Sequence, residues 1–298
     1  MIDLVIKYYE LLKSLLGNVF DLRHLYFTLS ITVFLLIIEL IFQGWHNSSL
    51  KKILKFEPST RIDCISWFVE AMNVFTLFSL VFSFGLCYYF VGFIQKSIDF
   101  DFHVSNAILQ FAIVFVASDL KGFISHYFFH KSNTLWQLHA FHHSATTFNI
   151  LTRQRGHFME SEIRRFFDVI PFVIFGAPIT TYLFVRFIVE AHQMIIHSSS
   201  NSDWGFLGRY VLVSPAAHRI HHSIDDKHFN KNFGITFIFW DMMFNTYHPR
   251  VEKLTLGIPN NPYNKGYFKD MITSQILFFK SAIGSIHKRI IKPILAKK

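Results

Sequence analysis

The stretch HLYFTLSITVFLLIIELIF (24–42) is almost unbroken apolar sequence. A bilayer core of about 30 Å is crossed by a helix of about 20 residues, so this run predicts a membrane span. Its one acid, Glu39, falls near the end, where a charge in lipid costs least. Apolar runs at 65–94 and 107–130 predict two more spans. The run 169–197 is different: Gly176 and Pro178 interrupt it within FGAP, which predicts two shorter helices in a hairpin. The expected fold is an all-α integral membrane protein, one membrane domain over 1–298, with about four membrane-embedded helical segments. Residues 25–125 hold transmembrane helices. A helical cap on the cytoplasmic side carries the histidines described below. Composition agrees: charged residues make up only 16%, against about 25% in a soluble domain.

The net charge of +9 then points to an anionic lipid surface and not to nucleic acid, for which no motif is present. From Arg250 onward there are ten Lys/Arg and two acids, mixed with apolar residues at roughly helical spacing. Residues 251–298 thus read as a basic amphipathic tail on lipid. Cys64 and Cys87 lie in apolar stretches and read as two buried thiols, and no cleavable leader is expected. The 43–64 loop carries Lys51, Lys52, Lys55 and Arg61, so the positive-inside rule puts it in the cytoplasm. The third span then runs inward, and the hairpin returns the chain to the same side. A bacterial inner membrane and an endoplasmic reticulum membrane both suit this arrangement.

Twelve of the 17 histidines fall between 126 and 228. HYFFH places His126 and His130 four apart on one helix face. QLHAFHHS supplies His139, His142 and His143, whose spacing predicts a one-face tripod, and SPAAHRIHHS repeats that geometry with His218, His221 and His222. Pro215 suits a helix start there, with Ser214 as its cap. A lone histidine on an apolar helix is usually a hydrogen-bonded core residue, and His24, His46, His103 and His287 read that way. Eight in three clusters would be costly beside a bilayer unless a metal compensated them. Imidazole suits Zn, Cu, Fe and Ni, and eight ligands exceed what one ion takes, so two ions are expected. His197 is a further expected ligand. His192 is a possible ligand, and Gln193 is placed to hold a metal-bound water. His157 reads either as a support for a ligand or as an ordinary loop residue. Asp119, two turns before His126, is expected to hold that ring's other nitrogen. Neutral ligands imply that binding weakens as pH falls toward about 6.5. A metal transporter is a rival reading, but it would need ligands along a path through the bilayer, and here they gather at one face.

DLKGFISHYFFH, LWQLHAFHHS, FNILTRQRGH, SPAAHRIHHS, NFG (232–234) and WDMMFNTY (240–247) resemble, in order and interval, the fatty acid hydroxylase superfamily. That superfamily includes sterol desaturases, C4-methyl sterol oxidases, sphingolipid hydroxylases and alkylglycerol monooxygenases. The resemblance covers roughly 115–250, the expected catalytic region, which includes the hairpin. Asn245 stands where many members have Gly, and Tyr127 where many have Arg. The resemblance implies a di-iron enzyme with O2 as co-substrate, acting on a sterol, fatty acyl, sphingoid or ether lipid. The eight box histidines and His197 would bind the metals. Either a hydroxylase or a desaturase fits. No nucleotide or iron–sulfur motif is visible, so an external donor is implied, cytochrome b5-like or ferredoxin-like with its reductase.

Overall fold

The computed structural model describes residues 22–74 and 104–288, with a few isolated positions outside them. Most of the expected second span, the start of the chain, Cys87, His103 and the last ten residues lie outside the described residues. Among the described residues the fold is helical, with no strand and two isolated bridges, Leu212–Phe237 and Ser223–Leu256.

Helix α1 (Leu22–Gln43) is followed by α2 (Ser49–Lys55) and α3 (Pro58–Ala71). Helix α4 (Ala107–Lys131) is capped by Asn106, which accepts hydrogen bonds from the Ile108 and Leu109 amides. A single residue, Ser132, ends α4 and caps α5 (Asn133–His143) by accepting from the Leu135 amide. This tight joint folds the two histidine-bearing helices against each other. Next come α6 (Phe158–Asp168), α7 (Ile170–Ile174) and α8 (Ile179–Ile196). Helices α9 (Gly205–Tyr210), α10 (Pro215–His221), α11 (Phe239–Met243) and α12 (Tyr267–Ile286) complete the order.

Among the described residues, three helices are long and apolar enough to cross a membrane: His24–Gln43 within α1, α4 and α8. Their C-terminal ends meet. Glu39, near the end of α1, accepts from the backbone amides of Ser49 and Ser199 (2.8 and 2.7 Å), just past the end of α8. His142 then touches His197 at the end of α8, and His139 touches His126 near the end of α4. The hairpin breaks where FGAP predicts, with Gly176 at φ +56°. Its arms are unequal, 5 and 18 residues. Its tip reaches the far end of α4, where Gln110 donates to Phe175 O at 3.2 Å. The hairpin therefore reaches the first turn of α4, whose 25 residues rise about 38 Å at 1.5 Å per residue.

The tail does more than lie on a surface. Helix α12 covers α5, with Tyr267, Asp270 and Ser274 buried and Ser274 Oγ donating to Gln137 O. Its opposite face leaves Phe268, Ile272, Ile276, Phe279 and Ile283 exposed, an apolar stripe that suits a lipid surface.

Candidate metal centre

The nine expected ligands converge, and they divide. His126, His130, His139, His143 and His221 form one group, and His142, His197, His218 and His222 a second. Within each group the ligand nitrogens lie within 4.8 Å of one another. Neither box acts as a one-face tripod. Each H-x-x-H-H sends its first and last histidines to one group and its middle one to the other. Helix geometry allows this: at 3.6 residues per turn, positions i and i+4 point within about 40°, while i+3 points about 60° to the other side. Since α5 and α10 divide in opposite senses, each group draws on both boxes. His143 and His222, from different groups, stack at 4.0 Å, so the groups adjoin.

Five of the nine rings are oriented through Nδ1. His126 Nδ1–H donates to Phe233 O (2.8 Å), His142 to Arg155 O (2.9 Å), His197 to Gln193 O (2.7 Å) and His221 to Lys231 O (2.8 Å). His139 donates to the Glu160 carboxylate (2.8 Å), which Arg164 also holds. Burial alone would raise the Glu160 carboxyl, but His139 and Arg164 outweigh it and keep it at about 2. With the proton on Nδ1, each Nε2 carries a lone pair aimed inward.

Those lone pairs face one another. His126 Nε2 stands 3.1 Å from His139 Nε2, which is 3.2 Å from His143 Nε2. In the second group, His197 Nε2 is 3.2 Å from His142 Nε2 and 2.9 Å from His218 Nε2. His130 Nε2, His218 Nδ1, His221 Nε2 and both nitrogens of His222 have no hydrogen-bond partner among the described residues. Orphaned nitrogens at this density would be costly. Nitrogens sharing one ion at about 2.0–2.1 Å stand about 3 Å apart, so the residues fit a metal. Burial, followed by neighbouring histidines, holds His142, His143, His218 and His222 well below the usual 6.5. Burial takes His197 and His221 to about 3. The rings are neutral, as ligands must be, and protonation competes only well below the pH of about 6.5 that free imidazole suggests.

The other expected residues behave differently. His192 stays outside both groups, with its ring against Trp204 (5.8 Å). Gln193 Nε2 donates to Ile235 O, so its part in the centre is the backbone carbonyl that holds His197. His157 caps α6 by accepting from the Met159 amide, and Nε2–H donates to Met271 O. It joins α6 to α12 and touches no ligand. Asp119 does not reach His126. It accepts from the Thr236 and Phe237 amides and from Trp240 Nε1. It thereby anchors the loop whose Phe233 carbonyl orients His126. Asp241 anchors the same loop, accepting from the Phe233 and Gly234 amides. A Cβ at Gly234 would stand 2.7 Å from Phe237 O, which explains the glycine of NFG. Asn245 adopts φ +57°, a backbone shape open to Gly and Asn alike.

Sequence reasoning missed Glu160, the carbonyl acceptors and a charged chamber. A cavity of about 350 Å³ opens between α4, α6 and α8, and His126, His139, His142 and His218 line it. So do Lys121, Asp168, Arg186, Arg153 and Glu190, with Lys121 paired to Asp168 and Arg153 to Glu190 at 2.9 Å. The signal was ionisable residues inside long apolar helices, which usually face a bundle interior.

Residues 111–246 match the family model described as fatty acid hydroxylase. The alkylglycerol monooxygenase of Caenorhabditis elegans is 31% identical over 54% of this chain and 32% of its own length. An ornithine lipid hydroxylase of Rhizobium tropici is 26% identical over 50% of this chain and 45% of its own. The human alkylglycerol monooxygenase is 27% identical over 50% and 33%. The chain thus spans less than half the length of these curated relatives. No solved structure matches it. The resemblance read from the histidine boxes is borne out as a match of residues 111–246 to the fatty acid hydroxylase family model. Three membrane-capable helices and these relatives make it part of a membrane protein.

Proposed function

We propose that the chain is a membrane-bound di-iron oxidoreductase that hydroxylates an unactivated C–H of a lipid, with its metal centre at the cytoplasmic surface. The observation that supports this best is the pair of neutral histidine groups facing one chamber. Five ligands in the first group exceed the four of a closed zinc site, which favours six-coordinate iron. Nine nitrogens would leave open positions for O2 among the twelve of two such ions. Two irons held there would supply the reduction of O2 and the oxidising power for the C–H bond. The reaction balances as lipid C–H, O2, two electrons and two protons giving C–OH and water. The two electrons come from a cytochrome b5-like or ferredoxin-like donor with its reductase.

The chain's own residues do the rest. Glu160 and the carbonyls of Arg155, Gln193, Lys231 and Phe233 hold five rings in one tautomer, so little reorganisation accompanies binding. The chamber is lined by α4 and α8, two helices long and apolar enough to cross a membrane, which suits entry of a lipid. Its ion pairs suit a polar headgroup near the reacting carbon. The named activities of the relatives, on alkylglycerols and on an ornithine lipid, support the reading that the substrate is a lipid with a polar headgroup. The test is lipid analysis of a host with and without the protein, followed by O2-dependent oxidation with purified protein. His142→Ala/His221→Ala removes one ligand from each group and should abolish the product. Full activity in that variant would refute the proposal, and a product with a new double bond and no hydroxyl would make the enzyme a desaturase.

A further inference from the structure

A second cavity, about 410 Å³, lies beyond the C-terminal ends of α1 and α8, on the other side of the second histidine group from the lipid chamber. Its lining includes Lys52, Phe148, Ser199, Asn201, Arg219 and Thr255. Phe148 separates it from the histidines, with ring centroids 4.9 Å from His222 and 5.2 Å from His197. Two cations flank that ring. The Arg219 guanidinium lies over it at 5.2 Å, and Lys52 Nζ donates to its carbonyl at 3.1 Å.

Neither cation has a carboxylate within ion-pair distance among the described residues. Arg219 lines the cavity and spends two of its five N–H donors on the Ser200 and Ser198 carbonyls, which leaves three without a partner among the described residues. Glu39, the acid whose charge bears on both cations, already has its oxygens occupied by Ser49 and Ser199. Glu252 lines the cavity too, but it is exposed at the rim. Two half-buried like charges repel, and the Lys52 amine shows it: burial, then Arg219, bring it down to about 8. An anion between them would relieve both desolvation and repulsion.

We propose that this cavity is a binding site for a water-soluble anion carrying phosphate or carboxylate groups, held between Lys52 and Arg219 with hydroxyl and amide donors from Thr255 and Asn201. The aqueous source is favoured because the cavity opens past the ends of the spans and not along them. The site does not depend on the metal reading.

The test uses the full chain in neutral detergent and follows acylation of Lys52 by an amine-directed reagent at pH 7.5. Peptide mass analysis reads the rate, and Lys51 next door serves as the reference. Lys52 should react faster than Lys51. Inorganic phosphate or citrate should slow Lys52 saturably, severalfold or more, while chloride at matched ionic strength leaves it unchanged. Arg219→Gln should remove the protection. Equal rates with and without either anion, or equal protection by chloride, would overturn the proposal. So would protection seen only after reconstitution with phosphatidylglycerol and not with phosphatidylcholine, which would assign the cavity to a lipid headgroup.

Discussion

The two histidine groups differ in what holds them. In the first, His139 leans on a side chain, the Glu160 carboxylate, itself gripped by Arg164. In the second, His142 and His197 lean only on backbone carbonyls, those of Arg155 and Gln193. The first can therefore be weakened by replacing one acceptor. The second can be disturbed only by moving the backbone or removing a ligand. Both share the boxes, so a whole box cannot be lost from one group alone.

The largest expected effect tests that division. His218→Ala/His222→Ala leaves the second group two ligands and the first intact. Metal content should fall from about two ions per chain to about one, with product formation lost at least about 100-fold. Complete loss of metal would show that the groups are not separable. Next comes a residue whose backbone carbonyl holds a ligand of the second group, His142. Arg155 is fully buried, pairs with buried Asp63 at 2.7 Å, and also donates to Ser59, Ser144 and Asn264. Arg155→Ala strands Asp63, so chemical unfolding should show a loss of about 3–5 kcal/mol, together with weaker metal in the second group.

Glu160→Gln should cost the first group about 10–100-fold in metal affinity and spare the second, as read by chelator competition. The metal-free protein offers a pH test. Histidines whose folded pKa lies below 6.5 stay neutral while the unfolded chain takes up protons, so stability is full above about 6.5 and falls as pH drops below it. The slope can reach about 1.4 kcal/mol per pH unit for each such histidine. Flat stability from pH 7 to 5 would contradict the neutral, buried rings. Smallest of all, Gln193→Ala removes the Ile235 hydrogen bond, about 1 kcal/mol, yet leaves the carbonyl that holds His197. Metal affinity should move less than about threefold.

The convergence of the histidines was legible because metal chemistry leaves a side-chain signature: eight histidines at helical spacing in three clusters with His197 after the hairpin, a break at Gly176 and Pro178, and Ser214 as a cap for the last box. The division of each box was not read, although 3.6 residues per turn contains it. The carbonyls of Phe233, Lys231, Arg155 and Gln193 carry no side-chain signature, so no sequence pattern marks them. Asp119 pointed toward His126 on a helix face, but the amides of the 236–237 turn and the Trp240 indole compete better for a buried carboxylate. The charges of the chamber between α4, α6 and α8 stood in plain view at Lys121, Asp168 and Arg186. They were unread because each alone resembles a stray charge, and only the packing of α4, α6 and α8 brings them together.

The central claim is two metal ions in two histidine groups, and metal analysis of protein from iron-replete cells tests it most directly. The account predicts about two irons per chain, falling to about one in His218→Ala/His222→Ala. A plateau at one metal or fewer in the unaltered chain would contradict it.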